Sequence, residues 1–193
     1  GKVEQLARYN ETGAMVAFLA EEVPTVANGG VSEDLKSITW KLKAGLLWSD
    51  GTPVTSADVK FTAEYCMHPE GGCAQLAFFD GVENVEAIDD LTVKVSFADA
   101  KPNPYGPFVG GQSPIIQAAQ FADCLGAKAP ECTDANFKPI GTGPFVVDDW
   151  LRVHTSWRSG KCRGCWVHSR RRLKRRLWAL ARYRRGTIES DKR

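Results

Sequence analysis

The sequence has no long apolar run. A membrane-spanning helix needs about 18 or more consecutive apolar residues, and no stretch of that kind occurs. The chain opens with polar, mixed-charge residues rather than a signal-peptide pattern, so we expect any targeting segment to lie outside this sequence. Internal repeats and low-complexity tracts are also missing, while 43% hydrophobic and 25% charged residues are typical of a globular protein.

Histidine is scarce, with 3 in 193 residues. His154 and His168 lie after residue 150, and His68 has no serine, nucleophilic cysteine or carboxylate pair beside it that the sequence can place. Cys66 is close to His68, but a helical spacing of two residues directs the side chains to different faces. The sequence therefore predicts neither an enzyme nor a bound cofactor or metal.

The charges divide the chain in two. Residues 1–150 hold 10 basic and 21 acidic groups, a net charge of −11, whereas residues 151–193 hold 15 basic and 2 acidic groups, a net charge of +13. So abrupt a change marks a boundary, and it predicts that the two parts have different origins or structures.

The first part shows a strand, a turn and a helix in succession. Residues 38–43 alternate apolar and polar side chains, as in a half-buried strand, and residues 48–51 supply turn chemistry. Thr55 and Asp58 have the spacing of a capping box, and the apolar periodicity that follows predicts a helix over residues 56–67.

A second β region follows. Val82–Ile88 and Leu91–Phe97 flank two aspartates and predict a hairpin. Residues 101–114, rich in proline and glycine, predict an ordered loop or lid, and Ile115–Leu125 predicts a short helix. The expected fold class is mixed α+β or α/β with prominent antiparallel pairs.

Two stretches carry a resemblance to a known family. Residues 38–64, ITWKLKAGLLWSDGTPVTSADVKFTAE, resemble the signature of the family 5 extracellular solute-binding proteins, and residues 139–150, PIGTGPFVVDDW, are similar to its second marker. The resemblance covers residues 1–150 and implies part of lobe I of a two-lobe, clamshell periplasmic-binding-protein fold.

The function that this resemblance implies is binding for transport. Members of the family bind a short peptide or another solute such as nickel, and deliver it to the membrane permease and ATPase subunits of an ABC importer. We therefore expect a monomer in the periplasm or at the cell surface, with no nucleic acid as partner. One incomplete lobe is expected to bind its ligand weakly, because half a cleft buries little of it.

The marker residues are expected to be structural. They set turns or cap a helix, and they are Trp48, Asp50, Gly51, Thr55, Asp58, Gly141 and Gly143. Candidate ligand-facing residues are the aromatics of the proline- and glycine-rich loop, Tyr105 and Phe108. Alternatively, these two rings attach that loop to the core.

Four cysteines bracket turns in pairs. Cys66 and Cys73 are separated by seven positions, and Cys124 and Cys132 by eight. Since an exported protein meets an oxidising compartment, two local disulfides are plausible. The alternative is four reduced, half-buried cysteines.

Residues 151–193 allow several interpretations. The Arg170–Arg185 segment could form a basic amphipathic helix that binds nucleic acid or an anionic membrane. His154, Cys162, Cys165 and His168 are possible zinc ligands, but their spacing matches no standard zinc module. We favour a third hypothesis, translation out of frame from about residue 151, since arginine codons beginning CG read as alanine, glycine, valine or acidic codons one base later. A natural disordered tail is the remaining alternative.

Overall fold

Two antiparallel sheets and one long helix dominate the part of the chain that the computed structural model describes, residues 3–111 and 113–144. All of these residues belong to one compact unit, Gly1–Leu151. The strands are β1 Ala7–Tyr9, β2 Met15–Ala17, β3 Ser37–Lys41, β4 Val82–Asp89 and β5 Thr92–Phe97; the helices are α1 Ser56–Met67, α2 Ala118–Phe121 and α3 Thr133–Phe137. No helix in this range is long and apolar enough to cross a membrane.

The larger sheet has the order β3-β5-β4, and β1 pairs with β2 in a separate hairpin. In the central strand β5, Val93, Val95 and Phe97 are buried, while the residues between them are half-buried. Val93 lies opposite Trp40 and Val95 opposite Ile38, so the alternating apolar faces of two strands meet in the core. The predicted strand and the predicted hairpin are both confirmed.

Helix α1 packs on this sheet through the predicted apolar row. Val59 and Ala63 are fully buried and Cys66 nearly so. A capping box joins Thr55 to Asp58 at the amino end of α1, and the helix ends at Met67, ahead of a proline. The predicted helix is confirmed with the same bounds.

The proline- and glycine-rich loop is ordered because its backbone pairs with the first residues of the described chain. Val109 forms a parallel bridge with Ala7, and the amide of Leu6 donates to the carbonyl oxygen of Phe108 at 3.0 Å. Phe108 has a φ of +65°, a left-handed conformation that is uncommon for a bulky residue. The ring of Phe108 is also fully buried.

The predicted helix over Ile115–Leu125 is wrong in its first part, because α2 covers only four residues before a short 3-10 turn. The amide of Ile115 donates to the carbonyl oxygen of Glu4 at 2.8 Å, and the amide of Ile116 donates to Oγ1 of Thr62 at 3.1 Å. These contacts with distant segments favour an extended chain over the local helical bonds that the pattern predicted.

Candidate functional site

The turn of the first marker is closed by backbone hydrogen bonds. The amide of Trp48 donates to the carbonyl oxygen of Thr52 at 2.8 Å. The amide of Gly51 donates to the carbonyl oxygen of Trp48 at 2.9 Å. Gly51 has a φ of +87°, which explains why glycine stands there. The Trp48 side chain is thereby directed towards the start of α1.

The carboxylate of Asp50 organises the same turn from outside. Its Oδ1 accepts hydrogen bonds from Oγ1 of Thr52 at 2.6 Å and from the Thr52 amide at 3.0 Å, and its Oδ2 accepts one from Nε2 of Gln117 at 2.8 Å. These bonds, those from Thr52 first, hold the pKa of Asp50 below its usual value, because they favour the charged form. Asp50 thus connects the turn to the segment before α2.

Asp58 is a buried carboxylate at the amino end of α1, with 6% of its surface exposed. Its Oδ2 accepts hydrogen bonds from Nε1 of Trp48 at 3.2 Å and from the amide of Thr55 at 3.0 Å, and its Oδ1 accepts one from the amide of Ala118 at 2.9 Å. No lysine or arginine forms an ion pair with it in the described residues. Three N–H donors and the positive end of the helix dipole compensate the charge instead.

The second marker lies directly against the first. The amide of Ser49 donates to the carbonyl oxygen of Gly141 at 2.8 Å, and the amide of Ile140 donates to Oε1 of Gln120 at 2.8 Å. Gly143 is half-buried two residues further on, where the chain bends. Two stretches about ninety positions apart therefore form one hydrogen-bonded unit, which we call the marker network. Its side chains and backbone groups come from Trp48, Ser49, Asp50, Thr52, Thr55, Asp58, Gln117, Ala118 and Gly141.

Tyr105 lies half-buried in the proline- and glycine-rich loop. Its hydroxyl donates to the carbonyl oxygen of Pro24 at 2.7 Å, and its ring meets that of Trp40 edge to face, with 6.4 Å between the centroids. Burial raises the pKa of the Tyr105 phenol, and the neighbouring Tyr9 raises it further. Tyr9 is 55% exposed, whereas Tyr105 is half-buried.

Phe108 lies in a different environment, with 1% of its surface exposed. Its ring packs edge to face against Phe79 at a centroid distance of 5.5 Å. In the described chain Phe108 joins the loop to the core, as the alternative interpretation of this residue expects. A ligand-facing role remains a prediction for both Tyr105 and Phe108, with far more surface free at Tyr105.

Sequence reasoning missed two residues of these clusters. Gln117 is 4% exposed and donates to Asp50, but it was expected inside a helix, where glutamine is usually an ordinary surface residue. Tyr9 precedes the hairpin turn at the end of the short strand β1, and only its aromatic character distinguishes it. Neither residue stands in a recognisable spacing, so no local signal connected it to its partner.

Both candidate cysteine pairs form disulfides. Cys66 is bonded to Cys73 with 4.9 Å between their Cα atoms, and Cys124 is bonded to Cys132 with 5.8 Å. The first bridge ties the last turn of α1 to the loop before a 3-10 turn at Leu76–Phe79. The four cysteines are thus oxidised rather than reduced.

Several sequence predictions fall on residues 145–193, outside the described residues. They are the Arg170–Arg185 segment and the possible zinc ligands His154, Cys162, Cys165 and His168.

Comparison with known proteins gives a consistent result. A family model described as bacterial extracellular solute-binding proteins, family 5 Middle, matches residues 15–156. The glutathione-binding protein GsiB of Shigella boydii is 28% identical over 120 residues, which are 62% of this chain and 22% of that protein.

Solved structures agree. A putative peptide-binding protein AppA from Clostridium difficile is 30% identical with a TM-score of 0.59, covering 78% of this chain and 29% of that one. The binding protein AgaA from A. tumefaciens R10, solved with agropinic acid, is 28% identical with a TM-score of 0.64, covering 78% and 28%.

The chain therefore spans under a third of the length of these relatives. The family model matches both stretches that form the marker network. Its range includes Ser49 and Asp58 of the first marker and Gly141 of the second. The described part has the mixed α and β fold of a lobe of the periplasmic binding proteins. This chain belongs to the bacterial extracellular solute-binding proteins, family 5, a family of binding proteins rather than of enzymes.

Proposed function

We propose that the protein from which this chain comes is the extracytoplasmic substrate-binding component of an ABC importer, and that its ligand is a short peptide. The family match over residues 15–156 is the observation that carries the first half. Relatives described as glutathione-binding and as putative peptide-binding support the second half, whereas the agropinic acid complex is the reason to test small acids as well. The protein acts as a monomer in the periplasm or at the cell surface, and it delivers its ligand to a permease and an ATPase.

Tyr105 is the residue we propose for ligand contact. Its hydroxyl is held by Pro24 and its ring by Trp40, so the ring is oriented before a ligand arrives. Aromatic side chains fixed in this way supply contact area at low entropic cost, which favours binding. Tyr9, which is exposed and contributes to the raised pKa of Tyr105, is the second residue that we propose for this contact.

Chemical-shift changes of the 193-residue chain on adding short peptides test this proposal. We expect weak, saturable changes at Tyr105 and Tyr9, with a Kd of roughly 1 mM because only part of a cleft is present. Tyr105→Ala should weaken binding several-fold, Tyr105→Phe should retain it, and Leu47→Ala, which changes another exposed side chain, should have no effect. Saturable changes that leave Tyr105 unaffected would contradict the contact at Tyr105, and binding of agropinic acid in place of every peptide would contradict the peptide ligand.

The transport partners have their own test. The DNA that flanks the gene should encode a permease and an ATPase, because the three components of such an importer act together. Co-purification of the full-length product with that permease from membranes is the direct measurement. A neighbourhood without transport genes, together with no co-purification, would argue against this role.

We also propose that residues 1–150 are part of the first lobe and that the chain from about residue 151 is read out of frame. The reversal of net charge from −11 to +13 at that point supports this division. Resequencing the gene tests it: a shifted frame that encodes an acidic and aliphatic continuation is expected, and a well-supported frame through Arg193 would exclude it.

A further inference from the structure

A small cavity lies between the last two turns of α1, the 3-10 turn Leu76–Phe79 and residues 113–116, with a volume of about 80 Å³. Its wall is mostly apolar and includes the first disulfide. The residues that line it include Tyr65, Cys66, Cys73, Phe79, Phe108 and Ile116. It lies outside the marker network, and neither the family match nor the proposed contact at Tyr105 gives it a role.

The size of the cavity restricts its occupant. An apolar cavity of about 150 Å³ accommodates benzene, and a water molecule takes about 30 Å³ of liquid volume. At about 80 Å³ this cavity, which is partly open to solvent, is close to the size of a branched group of three or four carbons and is too small to enclose a phenyl ring. Its apolar wall gives several waters few hydrogen-bonding partners, which favours an aliphatic occupant.

Polar side chains of Thr62, Gln75 and Ser113 also line the cavity. Ser113 has 5% of its surface exposed, and its hydroxyl has no hydrogen-bond partner among residues 3–111 and 113–144. An unsatisfied buried hydroxyl costs about 1–3 kcal/mol, so an occupant that brings a polar atom beside its aliphatic group is favoured. Amino-acid residues with branched side chains have this combination.

The walls also hold the cavity open. The disulfide joins Cys66 on α1 to Cys73, and the Phe79 ring packs against Phe108 at 5.5 Å. A pocket built on a helix, a covalent bridge and a fixed aromatic pair does not need to reorganise before it binds, which lowers the free-energy cost of binding.

We propose that this cavity binds a short branched aliphatic group, of the size of a valine or leucine side chain. If the cavity is a subsite for a peptide ligand, the inference rests on the proposed function. If the cavity binds free branched alcohols, the inference is independent of that function. The shared chemistry is the branched aliphatic group, and the test separates the two sources.

The test follows backbone amide resonances of Thr62, Cys66 and Phe108 in the 193-residue chain while xenon, isobutanol or toluene is added. Xenon and isobutanol are expected to shift these resonances saturably, and toluene is expected to leave them unchanged because its ring is too large. The Ile116→Phe substitution fills the cavity and should abolish the shifts, whereas Ile88→Phe, on an exposed position of β4, should leave them intact.

A second variant protects the test against misfolding of Ile116→Phe. Ile116 is half-buried, and Ile116→Ala enlarges the cavity, so it should admit toluene and reverse the size selection. The absence of saturable shifts with both xenon and isobutanol in the folded wild-type chain would overturn the proposal.

Peptides then identify the source of the group. Ala-Leu-Ala is expected to bind roughly tenfold more tightly than Ala-Ala-Ala and to shift the same amides, because the leucine adds buried methyl groups. If the free probes bind but neither peptide does, the cavity is a site for small aliphatic molecules and the peptide part of the proposed function fails alone. If Ala-Leu-Ala binds without shifting these amides, the peptide function stands and the cavity as its subsite is excluded.

Discussion

The indole Nε1 of Trp48 donates a hydrogen bond of 3.2 Å to the carboxylate of Asp58, and both side chains are buried. The two residues lie ten positions apart, one in the turn after β3 and one in the first turn of α1. The same carboxylate also accepts a hydrogen bond from the amide of Ala118. Asp58 therefore holds together the turn, helix α1 and the chain at the start of α2. The marker residues are thus understandable as a hydrogen-bonded support of the fold.

The first prediction concerns this carboxylate. Asp58→Ala leaves three N–H donors without their acceptor, and the indole N–H of Trp48 among them is buried. The substitution should therefore lower the free energy of unfolding by about 3 kcal/mol. Urea denaturation followed by tryptophan fluorescence measures the change. Asp99→Ala is the matched control, because the exposed Asp99 makes no hydrogen bond or ion pair within the described part of the chain, and it should change stability by under about 0.5 kcal/mol.

A double-mutant cycle tests whether the Trp48 indole bond accounts for part of that loss. Trp48→Phe removes the donor, and we expect the two substitutions together to cost about 1 kcal/mol less than the sum of the single losses. Strict additivity would show that the two side chains are close without being energetically coupled.

The second prediction concerns acid stability. Hydrogen bonds from Thr52 and Gln117 lower the pKa of Asp50, so its contribution to stability is present above the unfolded pKa of about 3.9 and is lost as the pH falls through the lower folded value. Asp50→Asn should therefore make stability less dependent on pH below about pH 4. Urea midpoints measured from pH 6 to pH 2.5 provide the test, and an unchanged slope would contradict the contribution of Asp50.

Much of this fold followed from local patterns, because they coincide with what the tertiary structure requires. The alternation through Val93 and Val95 places both residues in the core, and the capping spacing of Thr55 and Asp58 begins α1 where the sequence predicts. Each of these features depends on residues within a few positions of one another, so a single sequence was sufficient to identify it.

The failures share a different cause. The start of the helix predicted at Ile115 was wrong because its backbone pairs with Glu4, which is more than one hundred positions away. The burial of Phe108 against the ring of Phe79 was likewise not fixed by the sequence, which left a ligand-facing role and attachment to the core both open. Contacts between distant segments decided these positions, and no local periodicity encodes such contacts.

The third prediction separates backbone strain from steric clash in the marker turn. Gly51 has a φ of +87° and open space around the position of a Cβ atom, so Gly51→Ala should cost about 1 kcal/mol through strain alone. Gly111 is the matched control, with equally open space and no positive φ, and Gly111→Ala should be neutral or slightly stabilising. Equal effects of the two substitutions in thermal or urea unfolding would show that the conformation of Gly51 is not the reason for the glycine.

The last prediction concerns the disulfide between Cys66 and Cys73, which closes a loop of seven positions. Replacing both cysteines with alanine should reduce the free energy of unfolding by about 2–3 kcal/mol, because the unfolded chain gains conformational freedom. Urea unfolding with and without a reducing agent measures this, with Cys124, Cys132, Cys162 and Cys165 replaced by alanine in both proteins so that only one bridge varies. The reducing agent should destabilise the protein that retains Cys66 and Cys73 and leave the cysteine-free protein unchanged; equal stability of the two proteins under oxidising conditions would show that this bridge does not stabilise the lobe.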